Sequence, residues 1–220
     1  MPQLQSIDIP ASHGRLEGLL RLPEAAAPPA MVAVVCHPHP LFGGTMHNKV
    51  VFRIGQALSE VGMPVLRFNF RGVGRSTGVH DAGVGERDDV RFALDELARR
   101  FPQVPICLAG FSFGSWTGLP VGCADPRVTY LVGVGVPVSM LKVQMDSCTK
   151  PKLIVQGTQD EYGPEAALVS WFEHLPQPKH LTLVDGADHF FTRYQNELFA
   201  AVRDYFLDRQ VTSETVVDLR

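Results

Sequence analysis

Pro105-Ile106-Cys107-Leu108-Ala109 runs directly into Gly110-Phe111-Ser112-Phe113-Gly114, an apolar strand followed at once by Gly-x-Ser-x-Gly. A short segment of helical character comes next. A serine at such a strand-to-helix turn holds its Oγ above the sheet, and the flanking glycines let the backbone bend sharply and neighbouring elements approach. The first turn of the helix aims unpaired N–H groups at the same point, where developing negative charge would be stabilised. Gly-x-Ser-x-Gly is short enough to arise by chance. Its setting between a buried strand and a helix makes Ser112 a candidate nucleophile.

The same texture extends on both sides. Short, mainly apolar runs rich in Val, Ile, Leu and Phe occur at 31–36, 64–70, 105–109, 130–136, 152–156 and 180–184. Runs of this length suit strands covered on both faces of a parallel sheet. Between them lie segments of helical period: Val50, Ile54, Ala57, Leu58 and Val61; Val90, Ala93, Leu94, Leu97 and Ala98; 166–172; and Leu198, Val202, Phe206 and Leu207. Strand and helix in alternation predict an α/β sheet with right-handed crossovers. Residues 1–22 alternate weakly about His13-Gly14, as a hairpin does. That adds two antiparallel strands and brings the expected total to eight. No repeat interrupts the 220 residues, and the nearest approach to a linker is the short stretch 24–29, so one domain over 1–220 is expected.

A serine nucleophile needs an acid and a base, which in this chain order would be Ser, Asp/Glu, His. Asp160 lies just past the seventh strand and His189 just past the eighth. All three therefore fall beyond the carboxyl ends of strands, where ligands bind in open α/β sheets. Asp146, after the sixth strand, and Glu161 compete for the acid, and His174 and His180 for the base. His174 sits on a helical segment and His180 opens a strand, so both read as solvent or packing histidines. Asp185 and Asp188 read as shaping the tight loop that presents His189.

Two further clusters stand out. Cys36-His37-Pro38-His39-Pro40-Leu41-Phe42-Gly43-Gly44-Thr45-Met46-His47-Asn48 follows the third strand. Its His-x-His spacing admits a metal site, but no other His/Cys cluster completes three ligands, and no metal is expected. Arg67-Phe68-Asn69-Phe70-Arg71-Gly72-Val73-Gly74-Arg75-Ser76-Thr77-Gly78 resembles a phosphate-cradling glycine loop. Its third glycine is late, no helical pattern follows directly, and no Lys-Ser/Thr pair follows a glycine, which excludes a P-loop. Its arginines read as structural, with Arg71 a minor candidate for an acidic substrate.

With these motifs in place, residues 15–208 resemble the small, lid-poor α/β-hydrolases related to dienelactone hydrolases. In particular they look like the bacterial subgroup carrying His-Pro-His-Pro-x-x-Gly-Gly-Thr-Met, Arg-Phe-Asn-Phe-Arg-Gly-Val-Gly and Gly-Phe-Ser-Phe-Gly, here at 37–46, 67–74 and 110–114. The resemblance implies a three-layer α/β-hydrolase fold: an eight-stranded, mostly parallel sheet with helices on both faces and little or no cap. It also implies a carboxylic-ester hydrolase with Ser112, Asp160 and His189 as its triad. Members nearer dienelactone hydrolase use cysteine as nucleophile, so serine here points away from dienelactone as substrate. Gly118-Leu119-Pro120 departs from the Ala-rich sequence expected after the nucleophile and predicts a short or kinked helix. In this fold the backbone N–H after the nucleophile, that of Phe113, and one from the loop after the third strand form the oxyanion hole. Pro38 and Pro40 have no N–H, which leaves His39 and Leu41 as candidates.

Residues 137–151, between the sixth and seventh strands, leave room for one short helix, not for a cap of several. A small apolar pocket walled by Phe42, Phe111, Phe113, Trp116, Met140, Leu141 and Tyr162 is therefore expected, with short-chain esters as substrates. Thioesters or peptides on the same triad, or a catalytically silent binding protein, are the alternatives, although all the triad residues are present. Hydrophobic residues make up 45% and charged residues 20%, with a net charge of −3 and no basic block, so the chain reads as globular and not nucleic-acid-binding. Four cysteines without a Cys-x-x-Cys pair, no signal-like N-terminus and no membrane-length apolar stretch suit a reducing, cytoplasmic setting. No cofactor and no membrane partner is expected. A small-molecule ester is the expected partner, and the chain is a monomer or a homodimer.

Overall fold

The apolar runs become strands because each is covered on both sides. In the computed structural model, which describes residues 2–24 and 28–217 (the last nine as backbone only), β3 (Val32–Cys36), β4 (Val65–Phe68), β5 (Ile106–Phe111) and β7 (Lys152–Gly157) are buried along their whole length. With β1 (Gln3–Ala11), β2 (Gly14–Leu22), β6 (Val128–Val134) and β8 (Lys179–Val184), the described residues form one eight-stranded sheet in the order β1-β2-β4-β3-β5-β6-β7-β8. The β1–β2 hairpin turns at Ser12-His13, and β2 joins β4 antiparallel. From β4 to β8 every pairing is parallel. The stretch 24–29 falls partly outside the described residues.

Period-2 alternation sends neighbouring strand residues to opposite faces, and each face has its own helices. On one, Ala33, Val35 and Leu153 pack with α1 (Lys49–Glu60) and α5 (Gln195–Val217) through Val51, Ile54, Leu58, Leu198 and Val202. On the other, Val34, Leu66 and Leu108 pack with α2 (Val84–Arg100), α3 (Phe113–Ala124) and α4 (Glu165–Glu173) through Val90, Leu94, Leu119 and Leu168. This is the three-layer α/β-hydrolase architecture.

Two expectations change. The helix after Ser112 is not short: α3 continues through Pro120 to Ala124, with Leu119 and Val121 seated in the core on either side of the proline. Burial of these neighbours holds the helix together where the proline removes one backbone hydrogen bond. Residues 135–151, where one short helix would fit, contain only turns and irregular chain. The segment between β6 and β7 therefore contributes no helix over the carboxyl end of the sheet. Among the described residues no helix is long and apolar enough to cross a membrane.

Candidate active site

Ser112 sits between β5 and α3 with φ 54° and ψ −121°, a conformation that non-glycine residues rarely adopt. Its backbone is fixed on both sides: Ser112 N–H donates to Val134 O (2.9 Å), and Ser112 O accepts from Ser115 N (2.8 Å). The turn is tight enough to require both glycines. A Cβ on Gly110 would stand 2.3 Å from Gly114 O, and one on Gly114 would stand 2.4 Å from Cys36 O. The motif's spacing is thus a packing requirement.

The turn lifts Ser112 Oγ to 2.9 Å from His189 Nε2, and His189 Nδ1 lies 2.8 Å from Asp160 Oδ2. A carboxylate only accepts, so the imidazole proton is on Nδ1, and Nε2 is left to accept from the serine hydroxyl. Asp160 and His189 are buried, Ser112 half-buried. Asp160 is held firmly: Oδ1 accepts from Tyr162 N (2.9 Å) and Gly163 N (3.1 Å), and Oδ2 accepts from Gln156 Nε2 (2.8 Å). Phe111, Tyr162 and Phe190 pack around the His189 ring at centroid distances of 5.0, 4.6 and 5.1 Å.

The competing residues lie elsewhere. Asp146 and Glu161 are exposed. His174 turns Nδ1 onto Ser170 O (2.6 Å), and His180 packs beside Tyr205 (5.7 Å). Asp185 accepts from Thr158 Oγ1 and Asp188 from Thr192 N, so both shape the loop around His189.

The two loop motifs lock each other. Phe70 N–H donates to His37 Nε2 (3.0 Å) while His37 Nδ1–H donates to Pro38 O (2.6 Å). Both imidazole nitrogens are taken, and burial pushes this histidine down to about 4, so it stays neutral and cannot pair with His39 around a metal. Arg67 donates to Met46 O, and Asn69 Oδ1 accepts from Met46 N, each at 2.8 Å, which anchors the far end of the same loop. Arg71 is committed elsewhere. It donates to Asp89, a buried carboxylate that also meets His13.

Between these anchors the His39 carbonyl accepts from Phe42 N and Gly44 N, both 3.1 Å. The His39 N–H has no acceptor among the described residues, and Phe113 N–H, first in α3, has none within its helix. Leu41 is a different matter. Its N–H is taken by His39 Nδ1 (3.2 Å), which removes it as a donor to a ligand.

A cleft of about 310 Å³ opens over Ser112 and His189. Phe42, Phe113, Met140, Leu141 and Tyr162 line it as expected. Two expected residues do not. Phe111 is wholly buried beneath His189, and Trp116 lies along α3 with its indole N–H on Lys142 O (3.1 Å) and its ring against Phe113. Phe190, Pro137 and Asn48 line the cleft and were missed, as was Gln156 behind Asp160. Phe190 directly follows His189 in sequence and could have been named. Phe42 is 86% exposed and Met140 65%, so the cleft has an open, apolar rim.

Known proteins resemble this chain in sequence and fold. A 37% identical α/β serine hydrolase homologue from Coxiella burnetii superposes with a TM-score of 0.86, over 91% of this chain and 96% of its own. An α/β serine hydrolase without a lid from Xanthomonas campestris is 34% identical, with a TM-score of 0.85 over 92% and 93%. The palmitoyl-protein thioesterase ABHD10, mitochondrial, of Bos taurus is 28% identical over 154 residues, which is 66% of this chain and 49% of that protein. This chain thus matches about half the length of that relative. The sequence profile of the alpha/beta hydrolase domain matches residues 33–201. Fold, elbow and profile agree: the chain belongs to the alpha/beta hydrolase domain family.

Proposed function

We propose that this hydrolase cleaves carboxylic esters of short acyl chains through an acyl-serine intermediate. The observation that carries the reading is the unbroken hydrogen-bonded line from Ser112 Oγ through His189 to Asp160. Ser112 Oγ attacks the ester carbonyl carbon as His189 Nε2 takes its proton, because a neutral hydroxyl is otherwise a weak nucleophile. His189 returns that proton to the leaving oxygen as the acyl C–O bond breaks. Water then repeats the two steps and releases the acid. Asp160 fixes the imidazole tautomer and stabilises the imidazolium. The N–H groups of Phe113 and His39 receive the oxyanion, each worth about 2.7–4 kcal/mol in the transition state.

Chain length follows from the cleft. At 310 Å³ it lies near the lower end of ligand pockets, roughly 300–1,000 Å³, and its rim is open. Each buried methylene adds about 0.8 kcal/mol, so kcat/KM rises over the first carbons and levels once the walls are covered. The optimum is expected at acetyl to hexanoyl. The likeness to a palmitoyl-protein thioesterase favours acyl-thioesters as the second reading. Ser112→Ala should lower ester hydrolysis by about 10⁶-fold, in line with the loss of other triad nucleophiles, with little change in Tm. A p-nitrophenyl ester series from two to sixteen carbons tests the rest. Retained activity in Ser112→Ala would end the acyl-serine reading, and a maximum at ten carbons or beyond would end the short-chain one.

A further inference from the structure

A second cavity, about 520 Å³, opens beside the first and shares Asn48 and Phe190 with it. Its character is different. Lys49 and Arg193 line it together with His47, Thr45, Thr192 and Gln195, and no carboxylate is among its lining residues. Neither cation has an ion-pair or side-chain hydrogen-bond partner among the described residues. Nearby cations are committed elsewhere: Arg53 donates to Gln195 O and Gln56, and Arg203 pairs with Asp204 and Glu60. Asp188, on the same loop as Arg193, spends Oδ1 on the Thr192 N–H.

The position of this cavity says which part of a substrate would reach it. The base must hand its proton to the leaving atom, so the leaving group lies on the His189 side of the reacting carbon. Phe190, next in sequence, lines both cavities together with Asn48. On this assignment a leaving group that passes Phe190 reaches Lys49 and Arg193, and the acyl chain is left the wall of Met140 and Leu141. We infer that the natural leaving group is an alcohol or thiol bearing an anion, a phosphate or a carboxylate, held by Lys49 and Arg193. This rests on the acyl-serine reading and names the substrate class of that site.

Matched pairs test it. S-butanoyl-4′-phosphopantetheine and S-butanoylpantetheine differ only in the phosphate. The butanoyl esters of 3-hydroxybenzoate and 3-hydroxybenzamide differ only in the carboxylate. The expected result is that the anionic member of one pair is preferred about tenfold in kcat/KM, through KM, with the preference shrinking as salt rises. Which pair responds tells phosphate from carboxylate. The double variant Lys49→Met/Arg193→Met should bring the ratio close to one, whereas Arg91→Met, the loss of a surface charge on α2 paired with Asp88, should leave it unchanged. A ratio of one in both pairs, or a ratio that survives the double variant, overturns the inference. Calorimetric titration of the Ser112→Ala protein with 4′-phosphopantetheine, pantetheine, 3-hydroxybenzoate and 3-hydroxybenzamide separates the two layers of reasoning. Anion-selective binding lost in the double variant, without hydrolysis of any substrate, would refute the chemistry and keep the site. Hydrolysis without anion selectivity would do the reverse.

Discussion

Gln156→Met removes a side chain of similar volume that does three things at once. Gln156 is fully buried; Oε1 accepts from Val136 N (2.8 Å), and Nε2 donates to Asp160 Oδ2 (2.8 Å) and Gly163 O (3.0 Å). Methionine fills the space and leaves the Val136 N–H and the Gly163 carbonyl without this partner. At about 2 kcal/mol for each stranded buried group, the loss is about 4 kcal/mol, which for a domain of this size lowers Tm by roughly 10 °C. A second effect is separate from stability. Asp160 keeps its bonds to Tyr162 N, Gly163 N and His189 and loses the donor that fixes the oxygen facing the imidazole. A hydrogen bond to a charged group contributes about 1.5–3 kcal/mol, so partial loss at the transition state should lower kcat about tenfold. The two effects are told apart by titrating competent serines with a reactive phosphonate and expressing kcat on p-nitrophenyl butanoate per titrated site. A merely structural role would reduce the titrated fraction and leave kcat per site at the parent value. That result would refute the positioning role, and an unchanged Tm would refute the stability estimate.

Asp160→Asn should lower kcat by about 10⁴-fold while the exposed Asp146→Asn does little, both read on the same ester; the swapped result would move the acid to the loop after β6. Gly44→Ala should cost about 10²–10³ in kcat, because its Cβ would stand 2.1 Å from Pro38 O and 2.6 Å from His39 O and must displace the His39 N–H; parent-like kcat would remove that donor from the oxyanion hole. Burial lowers His37 from its ordinary 6.5 to about 4, so between those values the unfolded chain binds a proton that the fold refuses. Its contribution to stability is whole above about pH 6.5 and is lost as pH falls toward 4, up to about 3 kcal/mol. Urea unfolding from pH 7 to 4.5 should therefore show a steeper decline in the parent than in His37→Gln, and parallel declines would contradict it.

Much of this molecule is legible in its sequence, for a reason that also marks the limits. Strands covered on both faces cannot alternate, so β3 to β7 surface as apolar runs, and the glycines of the elbow sit where backbone meets backbone. The run at 64–70 outlasts its strand, because beyond Phe68 the chain leaves the sheet and Asn69 and the Phe70 amide turn to hold the neighbouring loop. α2 begins at Val84, well before its first buried apolar side chain at Val90, since Glu86 holds its first turn by accepting from Gly83 N and Asp81 N. Apolar period is blind to such a start. Trp116 and Phe190 show another limit: aromatic identity says that a ring will be covered, not which face of α3 or of a loop it leaves from. Gln156 was hidden most completely. A glutamine ending an apolar strand looks like a strand end, and only the turn that folds Asp160 and Gly163 back over it gives it work.

The backbone of Ser112 carries one more consequence. At φ 54° and ψ −121° an L-residue is held against its own preference, at a cost on the order of 1–3 kcal/mol, whereas glycine would rest there with far less strain. Position 112 is therefore a place where the side chain proposed to perform the chemistry is not the one that folds best. Neutral drift that rewards only stability would carry this codon toward glycine and leave a sturdier, inert protein.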